Sequence, residues 1–364
     1  MKIISADKIF TGTEWITDHV ILIKDGYVVD IAPRSQVEPT QTEYYNDCFI
    51  APAFVDVQVY GASKKLLAAF PQAETLTLMY EQFISEGTCL FLPTVATNTV
   101  DVFKKSIDAV REYWKYNGKG VHGLHLEGPW INEIKRGAHI KQLIHAPAID
   151  EVKDLLDYGK GVIKMITIAP EVCSEAVVEL ILSYDIILSA GHSNASYYEA
   201  NDGFKKGIST VTHLYNAMSG LQHRSPGLVG AAFNHSTVRS SIIPDGYHVD
   251  YPAIAIAKKI MGHRLFAITD AVTENNSGPY QHQLAGDKFE CNGTLSGSAL
   301  SMYKAFYNLV KYAGIDVDEG LRMCSLYPSQ VLACDNNYGK IVPQSAGQFL
   351  VLDKQLELVE VINT

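Results

Sequence analysis

No two cysteines of this chain are spaced as C-x-x-C, and no run is long and apolar enough for a secretory leader or a membrane span. The six cysteines are Cys48, Cys89, Cys173, Cys291, Cys324 and Cys334. Several sit inside apolar runs, as buried free thiols do, and a reducing cytoplasm is the simplest setting for them. Positive charge is also scarce. The chain has 30 Lys and Arg against 40 Asp and Glu, a formal net charge of -10. That favours solubility and argues against a nucleic-acid surface, so any anionic ligand needs a local cationic site. Low-complexity segments and internal repeats are missing as well. What remains is 364 residues, 47% hydrophobic and 19% charged, enough for one large α/β unit with a small appendage or for two medium domains.

The two ends of the chain read as β structure. Lys2–Ala6, His19–Ile23 and Tyr27–Ile31 are strand-like, with a hairpin signal at Lys24-Asp-Gly26. Residues 347–352 and 356–362 have the same character. The expected division is a small β-sandwich domain from residues 1–50 and 340–364 around a central unit of 51–339. That centre alternates apolar runs with helical patterns. Strands are predicted at 53–59, 88–94, 121–127, 162–168, 186–191, 208–213, 239–244 and 265–270. Helices are predicted at 74–86, 100–116, 149–158, 174–184, 195–206 and 252–261, with one more near 299–313 after a hairpin-like insertion. Eight such pairs point to a (β/α)₈ barrel, whose catalytic groups sit at the C-terminal strand ends. An open, doubly wound sheet is the alternative.

Four of the predicted strands deliver an acid or a histidine at or just past their tips: Glu127, His192, His213 and Asp270. A lone histidine at a strand end is more often a structural residue. Three groups at the right strand ends instead suit one divalent cation, with Glu127, His192 and His213 as ligands and positions left open for water. Zn²⁺ is the expected ion, and iron or another divalent metal also accepts this set. A cation so held activates water near neutral pH. Asp270 would take a proton from the attacking water and pass it to the leaving group; a further metal ligand or a helix cap are its other readings. Ser193 or Asn194 would cap the helix after His192.

The runs His125-Leu-Glu-Gly-Pro129, Arg136-Gly-Ala-His139, Gly191-His-Ser193, Thr212-His-Leu-Tyr-Asn-Ala-Met218, Asp245-Gly-Tyr-His248 and Thr269-Asp-Ala271 occur in this order. With them the chain resembles the N-acetylglucosamine-6-phosphate deacetylases of the amidohydrolase superfamily. The resemblance implies hydrolysis of the N-acetyl group of N-acetylglucosamine 6-phosphate to glucosamine 6-phosphate and acetate. It implies metal ligation by Glu127, His192 and His213, with Asp270 as general base and then acid. His248 would polarise the acetamide carbonyl or hold a sugar hydroxyl. Asn216 and Ala217 would line the sugar site, Arg224 would hold the phosphate in its own or a partner subunit of a homodimer, and Ala138, His139, Leu295, Ser296 and Gly297 would approach the substrate. The expected partner is thus a small amino-sugar phosphate, with no nucleic acid and no membrane.

One departure stands out. Many amidohydrolases carry His-x-His on the first strand for a second or more buried metal, where this chain has Gln58 and Tyr60. Both are poor ligands for a zinc-like ion, so a single metal is expected. Gln58 would hydrogen-bond the attacking water or Asp270, and Tyr60 would serve as packing at the barrel mouth. His122 and His125 read as core or supporting residues. The competing functions are a deacetylase of another acetylated amino sugar or amino-sugar phosphate, and a catalytically silent sugar-phosphate sensor. The four intact site residues count against the sensor.

Overall fold

Apolar runs in the middle of the chain become strands hidden on both faces. The computed structural model describes residues 1–38, 41–116, 118–291 and 293–364. Eight parallel strands pair in chain order: β1 (Phe54–Val59), β2 (Thr88–Ala96), β3 (Leu124–Glu127), β4 (Ile163–Ile168), β5 (Ile187–Ala190), β6 (Thr210–Val211), β7 (Arg239–Ile242) and β8 (Leu265–Ala267). Every residue of β1 is buried, because one face meets the barrel interior and the other the surrounding helices. The chain just past β8 closes the ring. Val59 bridges Ala271 in parallel, the Asp270 amide donates to the Gln58 carbonyl at 3.0 Å, and the Tyr60 amide donates to the Ala271 carbonyl at 2.9 Å. That closure selects the barrel over the open sheet.

The helices are α1 (Ala73–Ser85), α2 (Val100–Tyr116), α3 (Ile149–Tyr158), α4 (Glu175–Leu182), α5 (Tyr197–Lys205), α6 (Gly227–Asn234), α7 (Tyr251–Met261), α8 (Met302–Lys311), α9 (Val317–Cys324) and α10 (Leu326–Val331). In α2 the buried Phe103, Ser106, Ile107, Val110 and Tyr113 recur every three to four residues, the stripe that seats a helix on a sheet. Helices α6, α9 and α10 lie outside the predicted set. The first is buried from Gly227 through Ala232, so it has no polar face to reveal a period. Ser196, not Ser193 or Asn194, caps α5, in a capping box with Glu199. The Ser193 hydroxyl instead donates to Glu171 at 2.7 Å.

The chain ends form one seven-stranded sheet from Lys2–Phe10, Trp15–Ile16, His19–Lys24, Tyr27–Pro33, Glu43–Pro52, Gln348–Asp353 and Leu358–Asn363. The expected hairpin is present, with Lys24 opposite Tyr27. Asp25 and Gly26 both have positive φ, 52° and 82°, as a two-residue primed turn requires. The sheet rolls over: the Val28 amide donates to the Ser345 carbonyl at 2.9 Å, and Tyr27 bridges Ala346. Ile4, Ile21, Ile50, Phe349 and Val351 fill the interior. The insertion after β8 is a three-stranded antiparallel sheet of Gln283–Leu284, Lys288–Cys291 and Thr294–Ser298.

Several barrel strands stop short of the apolar runs that predict them. His192 and His213 lie two residues past β5 and β6, and Asp270 lies three past β8. All three have positive φ, at 47°, 35° and 53°. Non-glycine residues hold such conformations only where their surroundings enforce them, which happens most at functional sites.

Candidate active site

Glu127 ends β3, in register with Ala96 of β2 and Thr167 of β4. That register puts its carboxylate at the barrel mouth, where the residue is 2% exposed. One oxygen, Oε1, lies 3.1 Å from His213 Nε2 and 3.3 Å from His192 Nε2. The two Nε2 atoms are 3.1 Å apart. The second oxygen, Oε2, faces His139 Nε2 at 3.1 Å and accepts a short hydrogen bond from the Tyr60 hydroxyl. Burial alone would raise the Glu127 carboxyl. His192, His139 and His213 outweigh it and hold the group well below the ordinary carboxylate range.

The loops beyond the strands aim these rings. His192 Nδ1 meets the Lys135 carbonyl at 2.9 Å. A carbonyl only accepts, so Nδ1 carries a proton and the ring turns Nε2 toward Glu127 and His213. The turn that carries His192 is gripped by Glu171, which accepts from the Asn194 amide at 2.6 Å, the Ser193 hydroxyl and Asn132 Nδ2 at 2.9 Å. The His213 amide donates to Ser241 Oγ at 2.8 Å, while its buried Nδ1 has no hydrogen-bond partner among the described residues.

Gln58 lies beneath these groups. Its Nε2 is 2.9 Å from Glu127 Oε1, 2.7 Å from Asp270 Oδ1 and 2.9 Å from the Tyr60 oxygen. The bond to Asp270 agrees with the sequence expectation. Tyr60 departs from it. Its hydroxyl is not mere packing: it donates to Glu127 and lies 3.3 Å from Asp270 Oδ1. Burial, with Asp270 and Glu127 nearby, pushes that phenol well above its ordinary range and keeps it neutral. Burial also raises the Asp270 carboxyl; Glu127 adds to this, while His213 and His248 oppose it. His248 is held by Asp245, whose Oδ2 lies 2.5 Å from its Nδ1 and whose Oδ1 accepts the His248 amide at 2.7 Å. His125 stays in the core, between the Val57 carbonyl at 3.0 Å and the Thr167 hydroxyl at 2.8 Å.

A cavity of about 350 Å³ opens over this floor. Glu127, His192, His213 and Asp270 line it, as do Ala138, His139, Asn216, Ala217, His248, Leu295, Ser296 and Gly297. The structure thus gathers all but one of the predicted ligand, acid/base and substrate residues. The exception is Arg224, which is exposed and outside the cavity lining. It sits in the loop after β6, which turns back on itself through paired Gln222 and Ser225. His139 was expected only on the substrate side, yet its Nε2 also reaches Glu127. Burial, with His192 beside it, lowers this ring to about 4. No periodic signal marks His139, because it lies in a loop. The role of Asp245 was partly visible, since an acid three residues before a histidine can bond both its amide and its ring.

The cluster fits a cation. Glu127, His139 and His192 offer ligand atoms that all lie within 4.8 Å of one another, and His213 adds a further nitrogen. Ligand atoms around one tetrahedral Zn²⁺ stand roughly 3.4 Å apart, close to the 3.1–3.3 Å seen among Glu127, His192 and His213. Two ring nitrogens at 3.1 Å need a positive charge or a proton between them.

The amidohydrolase family model matches residues 49–363. The chain belongs to the amidohydrolase family. Among similar amidohydrolases, the N-acetylglucosamine-6-phosphate deacetylase of Haemophilus influenzae is 30% identical over 345 residues, covering 92% of this chain and 90% of that protein. An N-acetylgalactosamine-6-phosphate deacetylase of a Shewanella species is 32% identical over 320 residues, covering 84% and 80%. The crystal structure of the N-acetylglucosamine-6-phosphate deacetylase of Pasteurella multocida superposes with a TM-score of 0.93 at 29% identity, covering 100% of this chain and 98% of that one. The family is metal-dependent, and this member keeps a carboxylate and imidazoles where a metal would bind.

Proposed function

We propose that this amidohydrolase cleaves the N-acetyl amide of N-acetylglucosamine 6-phosphate, giving glucosamine 6-phosphate and acetate. The observation that carries the reading is the meeting of Glu127, His192, His213 and Asp270 on the floor of one cavity. Glu127, His192 and His213 would hold a single divalent cation, Zn²⁺ first among the candidates. Bound there, it would activate water and polarise the acetamide carbonyl.

The remaining steps belong to side chains of the protein. Amide nitrogen is a poor leaving group until protonated. The Asp270 carboxylate takes the proton of the attacking water and returns it to that nitrogen, a task suited to a carboxyl raised by burial. Gln58 holds Asp270 in place through Oδ1. With Nδ1 donating to Asp245, neutral His248 offers Nε2 as an acceptor, which suits a sugar hydroxyl; donation to the carbonyl needs the imidazolium. Gln58 and Tyr60 direct N–H and O–H groups at the two carboxylates, where a second cation would need lone pairs, so they support a one-metal site.

Arg224 would reach the substrate phosphate from the partner subunit of a homodimer, since it is outside its own cavity. The thiols of Cys48, Cys89, Cys173, Cys324 and Cys334 are free, which suits a reducing cytoplasm. No helix among the described residues is long and apolar enough to cross a membrane. The test is acetate release from N-acetylglucosamine 6-phosphate beside N-acetylgalactosamine 6-phosphate and unphosphorylated N-acetylglucosamine. The reading expects the largest kcat/KM for the first. Preference for the galacto epimer or for the unphosphorylated sugar would overturn it.

A further inference from the structure

A sugar phosphate brings a dianion into a cavity whose floor already carries two carboxyl groups, Glu127 and Asp270. Some cation must meet it. Among the residues lining the cavity there is one lysine or arginine, Lys135. The cations near it in sequence are engaged elsewhere. The Arg136 guanidinium donates to the His139 carbonyl at 3.0 Å, and Lys141 pairs with Glu133 at 2.6 Å. That pairing also occupies the acid closest to Lys135 in the chain. The Lys135 ammonium itself has no ion pair among the described residues, and the residue is half-buried.

Its backbone is fixed. Lys135 ends a short 3₁₀ turn, Glu133–Lys135, capped by the Asn132 side chain, which accepts from the Ile134 amide at 2.9 Å. The Asn132 amide donates to the His192 carbonyl at 2.8 Å, and the Lys135 carbonyl accepts from His192 Nδ1 at 2.9 Å. The turn is therefore tied at both ends to the residue that flanks the reacting centre. The Lys135 backbone is thus fixed at the cavity wall, with a flexible side chain beyond it.

We propose that Lys135 binds the phosphate of the substrate from within its own subunit and so sets the preference for phosphorylated sugars. This rests on the sugar-phosphate reading above. It makes Lys135 a specificity residue in addition to Arg224. A lysine acts here as a mobile point charge and needs no forked geometry.

The experiment compares Lys135→Met and Lys135→Arg with the unaltered protein, all loaded with Zn²⁺ and checked for equal metal content. The metal check matters because His192 leans on the Lys135 carbonyl. Substrates are N-acetylglucosamine 6-phosphate and N-acetylglucosamine, with inorganic phosphate as a competitive inhibitor. Losing one charge-assisted contact should raise KM for the phosphorylated sugar about 10- to 100-fold, with kcat within about threefold. KM for the unphosphorylated sugar should move by less than about threefold, phosphate should inhibit Lys135→Met more weakly, and Arg should recover most of the loss. An unchanged KM for the phosphorylated sugar in Lys135→Met, or an equal rise for both sugars, overturns the assignment of Lys135. An unaltered protein that does not prefer the phosphorylated sugar overturns the sugar-phosphate reading instead.

Discussion

Tyr60→Phe removes one oxygen and leaves the ring. In the structure that oxygen donates to Glu127 Oε2 and receives Gln58 Nε2 at 2.9 Å. After the change Gln58 keeps Glu127 Oε1 at 2.9 Å and Asp270 Oδ1 at 2.7 Å. Glu127 Oε2 keeps only His139 at 3.1 Å. A hydrogen bond to a charged group contributes about 1.5–3 kcal/mol, and the surviving partners put this loss at the lower end. Groups that orient metal ligands typically change metal affinity by about 10- to 100-fold, so the variant should bind Zn²⁺ roughly tenfold more weakly. Competition with a chromogenic chelator measures this directly, and thermal melting of the metal-free forms separates it from a folding defect. Zinc affinity within about twofold of the unaltered protein would refute the idea that Tyr60 steadies Glu127.

Asp270→Asn keeps the shape of the side chain and removes its base. It should retain metal yet lower kcat by about 10²- to 10⁴-fold; normal turnover in steady-state kinetics would remove Asp270 from the proton path. Asp56, below the site, accepts from the Gln58 amide at 3.2 Å and the Thr269 amide at 3.3 Å, and burial pushes its carboxyl from 3.8 to about 7. The folded protein therefore keeps this proton where the unfolded chain has lost it, so the stability it contributes is present at low pH and lost as pH rises from about 4 to 7. Asp56→Asn should remove that decline, gaining about 2–3 kcal/mol relative to the unaltered protein between pH 5 and pH 8. Denaturant midpoints at the two pH values test it, and an equal difference at both would contradict it.

Much of the barrel was legible because strands covered on both faces, such as β2 (TCLFLPTVA) and β4 (IKMITI), appear as largely apolar runs; β7, Arg239-Ser-Ser-Ile242, is the weakest of them. The tips of those runs, with Glu127, His192, His213 and Asp270, were legible for the same reason. Helix α6 was not, because a helix buried nearly all round has no amphipathic period. Tyr60 was misread for a related reason. At the end of an apolar strand a tyrosine looks like packing, and only closure of the barrel beside Asp270 brings its hydroxyl to a carboxylate 67 positions away. His139, Lys135 and Glu171 act through loop geometry, which no periodicity encodes. Arg224 was placed at the substrate by resemblance, and the single subunit leaves it outside the cavity.

The account turns on one cation working with Asp270 in this cavity. Metal-free protein titrated with Zn²⁺ and assayed for acetate release from N-acetylglucosamine 6-phosphate tests that most directly. Activity should be absent at first, rise in proportion to added metal and level off at one equivalent per chain. Acetate release undiminished by complete metal removal, or a rise that continues to two equivalents, would contradict it.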